Sequence, residues 1–165
     1  MLKQQLQEDM KAAMKQSNSE VLGVLRLVLA SINTKEKEKR YKVSKEKPSA
    51  TEEDLIKEAT LNDEEITGVI TSEVKKRRDA ITLYEQGGRQ ELADAEKKEI
   101  TVLQKYLPEQ LSESELVALI EASIKKTGAS SIKDMGKIMA DLMPQVKGKA
   151  DNSKISNIIK EKFSN

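Results

Sequence analysis

Apolar residues recur at intervals of three and four along almost the whole chain, the spacing of one face of an α-helix rather than of a strand. Leu2, Leu6, Met10, Ala13 and Met14 form a first stripe. Val21, Leu22, Val24, Leu25, Val28, Leu29 and Ile32 form a second, apolar on most sides, which predicts the buried helix of a bundle. Aromatic residues are nearly absent: Tyr41, Tyr84, Tyr106 and Phe163 are the whole set, and there is no Trp. A core must then be assembled from Leu, Ile, Val, Met and Ala, which suits helix-on-helix packing. The expected fold class is all-α.

Caps and breakers divide this pattern into elements. Ser19 is placed to cap the second helix, which leaves the core as the charged run Lys35–Arg40, expected to be a solvated extension. Residues 41–51 show no apolar period and contain Pro48, so they are expected to form a mobile loop. Thr51 before Glu52-Glu53-Asp54 restarts a short helix through Leu55, Ile56 and Ala59. Asn62 or Asp63 caps a long one carrying Ile66, Ile70, Val74, Ile81 and Tyr84, which stops at Gly87-Gly88. The next carries Leu92, Ala95, Ile100, Leu103 and Leu107 and stops at Pro108.

Beyond Pro108–Leu111, three shorter stripes follow. Ser112-Glu113-Ser114-Glu115 is a capping box opening a helix with Leu116, Leu119, Ile120 and Ile124, closed by Gly128. Ser131 is expected to cap the next, with Met135, Ile138, Met139 and Leu142, ending before Pro144. Asp151 caps the last, with Ile155, Ile158, Ile159 and Phe163. The expected organisation is a larger helical domain over 1–109 and a small three-helix domain over 110–165. Independent motion is expected about the boundary, because so short a segment has little surface to dock with.

The chain has no Cys and no His among its 165 residues. Disulfides, zinc sites of the Cys/His type, thiolate nucleophiles and imidazole acid–base chemistry are therefore excluded. Lack of Cys fits a reducing compartment. Met1–Leu6 has no apolar core of signal-peptide length, and Val21–Ile32, interrupted by Gly23, Arg26 and Ser31, is too short to span a bilayer. A cytoplasmic location is expected. Lys and Arg total 29 against 28 Asp and Glu, a net charge of +1, so the chain as a whole is no polycation. The excess is uneven: residues 111–165 carry 9 Lys against 7 acids, and residues 1–110 carry 20 basic against 21 acidic side chains.

The strongest candidate site is Lys147-Gly148-Lys149-Ala150-Asp151. Gly148 can adopt a positive φ and turn the chain just before the last helix. Two ammonium groups would then stand beside helix N-terminal N–H groups, an arrangement that suits a phosphate. Lys137 and Lys154, on the flanking helices, are expected to join this patch. The plain alternative is a helix connector with surface lysines, Asp151 itself occupying the helix N-terminus. Ser130-Ser131 near Lys133 has the residue types of Ser-Ser-Lys amidase chemistry, but the segment lacks an oxyanion-binding loop and a buried lysine base; with Asp134 it reads as a helix start. Within Lys75-Lys76-Arg77-Arg78, Arg77 falls near the apolar seam and is expected to pair with a carboxylate, while Lys75 and Arg78 share a face that is expected to be simply solvated, with contact to RNA as the alternative. Arg26 is expected to form a structural ion pair. Asp151-Asn152-Ser153 lacks the glycine and distal Glu of a calcium loop. No catalytic residue, metal or cofactor is expected.

Gly128–Lys137 and Met143–Asp151, with Tyr106-Leu107-Pro108-Glu109-Gln110-Leu111-Ser112 upstream, resemble the YqeY family. They also resemble the C-terminal tail of the B subunit of the aspartyl/glutamyl-tRNA amidotransferase, GatB. The resemblance covers nearly the whole chain and is densest from Arg77 to Phe163. It implies a tRNA-binding tail separated from the catalytic domain that carries it, with Lys147, Gly148 and Lys149 in a tRNA-contacting element. A link to carbon–nitrogen ligation with glutamine as amido donor then describes the domain's relatives rather than this chain's own chemistry. The alternative function is a protein–protein adaptor for an amidotransferase or an aminoacyl-tRNA synthetase. The segment from Tyr41 to Thr60 looks longer than the family pattern.

Overall fold

The computed structural model describes residues 1–164. They form eight α-helices and one 3-10 turn, with no strand among the described residues: α1 Leu2–Lys15, α2 Ser19–Glu46, α3 Glu52–Ala59, α4 Asp63–Gln86, α5 Gln90–Gln104, α6 Glu113–Thr127, the 3-10 turn Ile132–Asp134, α7 Met135–Val146 and α8 Asn152–Ser164. The all-α class is as expected. The chain divides into two compact units, Met1–Tyr106 and a second that begins at Leu107.

In the first unit α2 is the central helix, packed against α1, α3, α4 and α5. Its Val24, Leu25, Val28, Leu29 and Ile32 are buried with Leu6 of α1, Ile66 and Ile70 of α4, and Leu103 of α5. The cap of α2 lies one residue earlier than expected. Ser17 turns the chain at a φ of 54°, and the Asn18 side chain, not Ser19, accepts the Val21 N–H at 3.1 Å. Thr51 caps α3, and Asn62 forms a full capping box with Glu65 at the start of α4.

Two expectations are corrected in this unit. Tyr41–Glu46 is not a loop: α2 runs unbroken to Glu46, and only 47–51 connects it to α3. Ion pairs to neighbouring elements flank the segment on both sides. Lys39 pairs with Glu65 at 2.8 Å, Arg40 with Glu52, and Lys47 with Glu58 at 2.7 Å, while the Lys45 ammonium lies 4.8 Å from the Tyr41 ring centroid. Arg26 forms no ion pair among the described residues; it faces solvent on the outer side of α2.

Arg77 does pair as expected, and with more than one carboxylate. Its guanidinium is buried. Nε and Nη2 both donate to Glu99 at 2.9 Å, and Nη1 reaches the Glu73 carboxylate at 3.1 Å and the Glu73 carbonyl at 3.2 Å. Glu73, also buried, accepts further bonds from Lys76 at 2.7 Å and Ser31 at 3.1 Å. Burial pushes the Glu73 carboxyl up, but the bonds from Lys76 and Arg77 outweigh it, and the group titrates below the ordinary carboxylate range.

The second unit packs α6, α7 and α8 around Leu116, Ile120, Ile138, Leu142, Val146, Ile155 and Ile159. Ser112 and Glu115 form the expected capping box, and Gly128, at a φ of 64°, closes α6. Ser131 makes no cap bond with its side chain. A 3-10 turn precedes α7 instead, and the Asp134 carboxylate accepts the Ser130 N–H at 3.1 Å. Helix α7 does not end before Pro144; it continues to Val146. In the last turn a proline forfeits one helical bond, and the full burial of Val146 fastens that turn to the core.

Candidate nucleic-acid interface

The turn between α7 and α8 begins where Val146 enters the core. The Val146 carbonyl accepts from the N–H groups of both Lys149, at 2.9 Å, and Ala150, at 3.2 Å. Gly148 sits between them at a φ of 74°, a left-handed conformation that side chains strain against. Its position is also buried, whereas Lys147 and Lys149 on either side are exposed.

A second strut holds this turn from outside. The Leu111 N–H donates to the Lys149 carbonyl at 2.9 Å, and the Gln110 side-chain amide donates to the Gly148 carbonyl at 2.7 Å. Successive carbonyls of the turn are thus bonded to the segment just before α6. No local signal betrays this role: Gln110 and Gly148 are 38 residues apart, and Gln110 lies in a stretch without apolar period.

The start of α8 is occupied. Asp151 Oδ1 accepts the Ser153 N–H at 2.7 Å, and its carbonyl accepts the Ile155 N–H at 3.0 Å. An anion arriving at this turn would therefore meet ammonium groups rather than a vacant helix N-terminus.

The flanking lysines are placed differently. Lys154, in the first turn of α8, bonds Glu113 of α6 at 2.9 Å and holds that carboxyl below its usual range. Lys137 lies in the first turn of α7, bonded to Asp134 at 3.1 Å. Ten residues of helix separate it from Lys147, roughly 15 Å along the axis. Lys147, Gly148 and Lys149 thus share one turn with Lys154 just beyond it, and Lys137 stands at the far end of α7. In the first unit, Lys75 is bonded to Asp79 one turn along α4 at 3.2 Å.

Among the described residues no group of three or more Asp or Glu is placed to hold a metal ion, and no helix is long and apolar enough to cross a membrane. The family model for Yqey-like proteins matches residues 3–51 and 47–163, and its two stretches meet in the 47–51 connection. No curated protein matches.

Proposed function

The chain belongs to the YqeY-like protein family, and from that premise we propose that it is a tRNA-binding accessory protein whose contact surface is the turn between α7 and α8. The observation that carries this is the presentation of Lys147 and Lys149. Both side chains are exposed on a backbone fixed by four hydrogen bonds, two within the turn and two from Gln110 and Leu111. Ammonium groups are point charges without the planar fork that reads a base edge, so they suit phosphates. Lys154 supplies a third cation near the turn once Glu113 releases it. Chemistry on the bound RNA, including any transfer of an amide nitrogen from glutamine, belongs to a separate enzyme. In this reading the protein contributes binding and placement.

A Lys147→Ala/Lys149→Ala double variant should bind unfractionated tRNA more weakly than the parent, with a similar loss for every tRNA species. The slope of log affinity against log salt should fall by about one unit for each phosphate contact removed. The fold should persist, since exposed substitutions of this kind usually change stability by less than about 0.5 kcal/mol. Gly148→Val separates charge from shape: it keeps both lysines but imposes a β-branched residue on a left-handed backbone. Filter binding across a salt series reads both variants. Unchanged affinity and slope in the double variant would reduce this turn to a connector.

A further inference from the structure

The two ends of the second unit differ in charge. Lys154 of α8 pairs with Glu113 of α6 at 2.9 Å, and one stretch further along both helices Lys162 pairs with Glu121. Helices α6 and α8 therefore run side by side in the same direction. The chain leaving α7 lies beside Leu111, whose N–H reaches the Lys149 carbonyl, so α7 runs the opposite way. The Lys147–Lys149 turn thus belongs to the end where α6 and α8 begin. The other end gathers the C-terminal turns of α6 and α8, the start of α7, and the 3-10 turn, which packs against α8. Residues 111–120 and 142–158 hold three lysines and three acidic side chains, whereas 121–141 and 159–164 hold six lysines and four. The excess positive charge of this unit sits wholly at the end away from the turn.

Three of those six lysines are engaged: Lys126 with Asp141 at 2.5 Å, Lys137 with Asp134 at 3.1 Å, and Lys162 with Glu121. Lys125, Lys133 and Lys160 are exposed and form no hydrogen bond or ion pair among the described residues. The helix dipole accounts for Lys125, in the last turn of α6, where cations are favoured. It disfavours Lys133, which stands just before α7, next to an Asp134 already bonded to Lys137 and Ser130. Nothing in the fold compensates a cation there, whereas an anion arriving from outside would. We propose that this end of the second unit is a further RNA-backbone surface, with Lys125, Lys133 and Lys160 as its phosphate contacts. It rests on the reading above for the identity of the RNA and lies the length of α7 away from the turn. Cations from three separate elements suit a partner whose charges are strung along a chain. A protein partner is disfavoured by the residues present. Residues 111–165 contain no Arg, Trp or Tyr, the side chains that anchor protein interfaces, and Lys is depleted from such interfaces. Ile132 is the one large apolar side chain exposed on this unit among the described residues, too little for an apolar interface core.

A full-length Lys125→Ala/Lys133→Ala/Lys160→Ala protein tests this by filter binding of unfractionated tRNA across a salt series. Affinity should fall by roughly tenfold or more, and the salt slope by about two to three units. Lys11→Ala/Lys37→Ala/Lys57→Ala is the control. It removes three exposed lysines of the first unit that likewise have no partner among the described residues, and its slope should stay within about half a unit of the parent's. The Lys147→Ala/Lys149→Ala protein separates the two surfaces. A triple variant that binds as the parent does, beside a weakened double variant, would overturn this proposal alone and leave these lysines to an acidic protein or to solvent. A weakened triple variant beside an unchanged double variant would uphold it and remove the turn as the contact. A control as weak as the triple variant would also overturn it, since the loss would then follow net charge and not position.

Discussion

Arg77→Met should destabilise the Met1–Tyr106 unit by about 3–5 kcal/mol, the cost of stripping one partner from a buried ion pair. For a unit of this size that corresponds to a fall in melting temperature of at least about 12 °C. The loss arises less from the missing bonds than from what stays behind: Glu73 remains buried with Arg77's two donations gone, and Glu99 loses both of its own. The pH dependence identifies the cause. In the parent, Glu73 titrates below its ordinary value of 4.5, so its contribution is complete above that pH and disappears as the pH falls through the lowered folded value. In Arg77→Met the burial that opposes ionisation meets less compensation, and this acid loss should shrink. Adding Glu73→Gln should recover a large part of the stability, because the carboxylate left short of partners is gone. Thermal and urea unfolding between pH 3 and pH 7 would measure all three chains. A single variant within about 1 kcal/mol of the parent would show that solvent or neighbouring lysines replace the guanidinium.

The second large effect is expected from Leu142→Ala. Leu142 is fully buried in the α6–α8 core, and removing such a side chain costs about 2–5 kcal/mol. A core drawn from fewer than about 70 residues rarely supplies more than 3–5 kcal/mol, so one truncation should consume most of what holds this unit together. Amide protection should vanish over 113–164 while Met1–Tyr106 keeps its own. Binding to tRNA should be lost although every lysine remains. Two units that unfold in one shared transition would contradict this, and would mean that the second unit draws its stability from outside its own core.

Helix starts were open to inspection in the sequence because a cap joins residues three apart. Asn62 with Glu65 and Ser112 with Glu115 are written in adjacent text and form as written. Gly128 and Gly148 were similarly accessible, since their positive φ is a property of the residue itself. Segments held by distant partners were not. Tyr41–Glu46 has no apolar stripe, and the ion pairs on either side of it join Lys39, Arg40 and Lys47 to Glu65, Glu52 and Glu58, beyond the end of the helix. Pro144 marks a break in any local treatment, and what overrides it is the burial of Val146 two residues on. Arg26 had the opposite fate: apolar neighbours in sequence suggested burial, but it projects from the outer side of α2. At the candidate site the lysines could be picked out and their scaffold could not.

That scaffold has a practical consequence for dividing the protein. Ser112 looks like the natural first residue of an isolated C-terminal fragment, since its capping box opens α6 and every lysine of the turn lies downstream. A fragment cut there would leave out Leu111 and Gln110, the donors to the Lys149 and Gly148 carbonyls. It would keep the helices and the charge while the spacing of the two ammonium groups relaxed. A weak affinity measured on such a fragment would report the choice of its first residue rather than the capacity of the intact chain. A fragment begun at Leu107 keeps both struts.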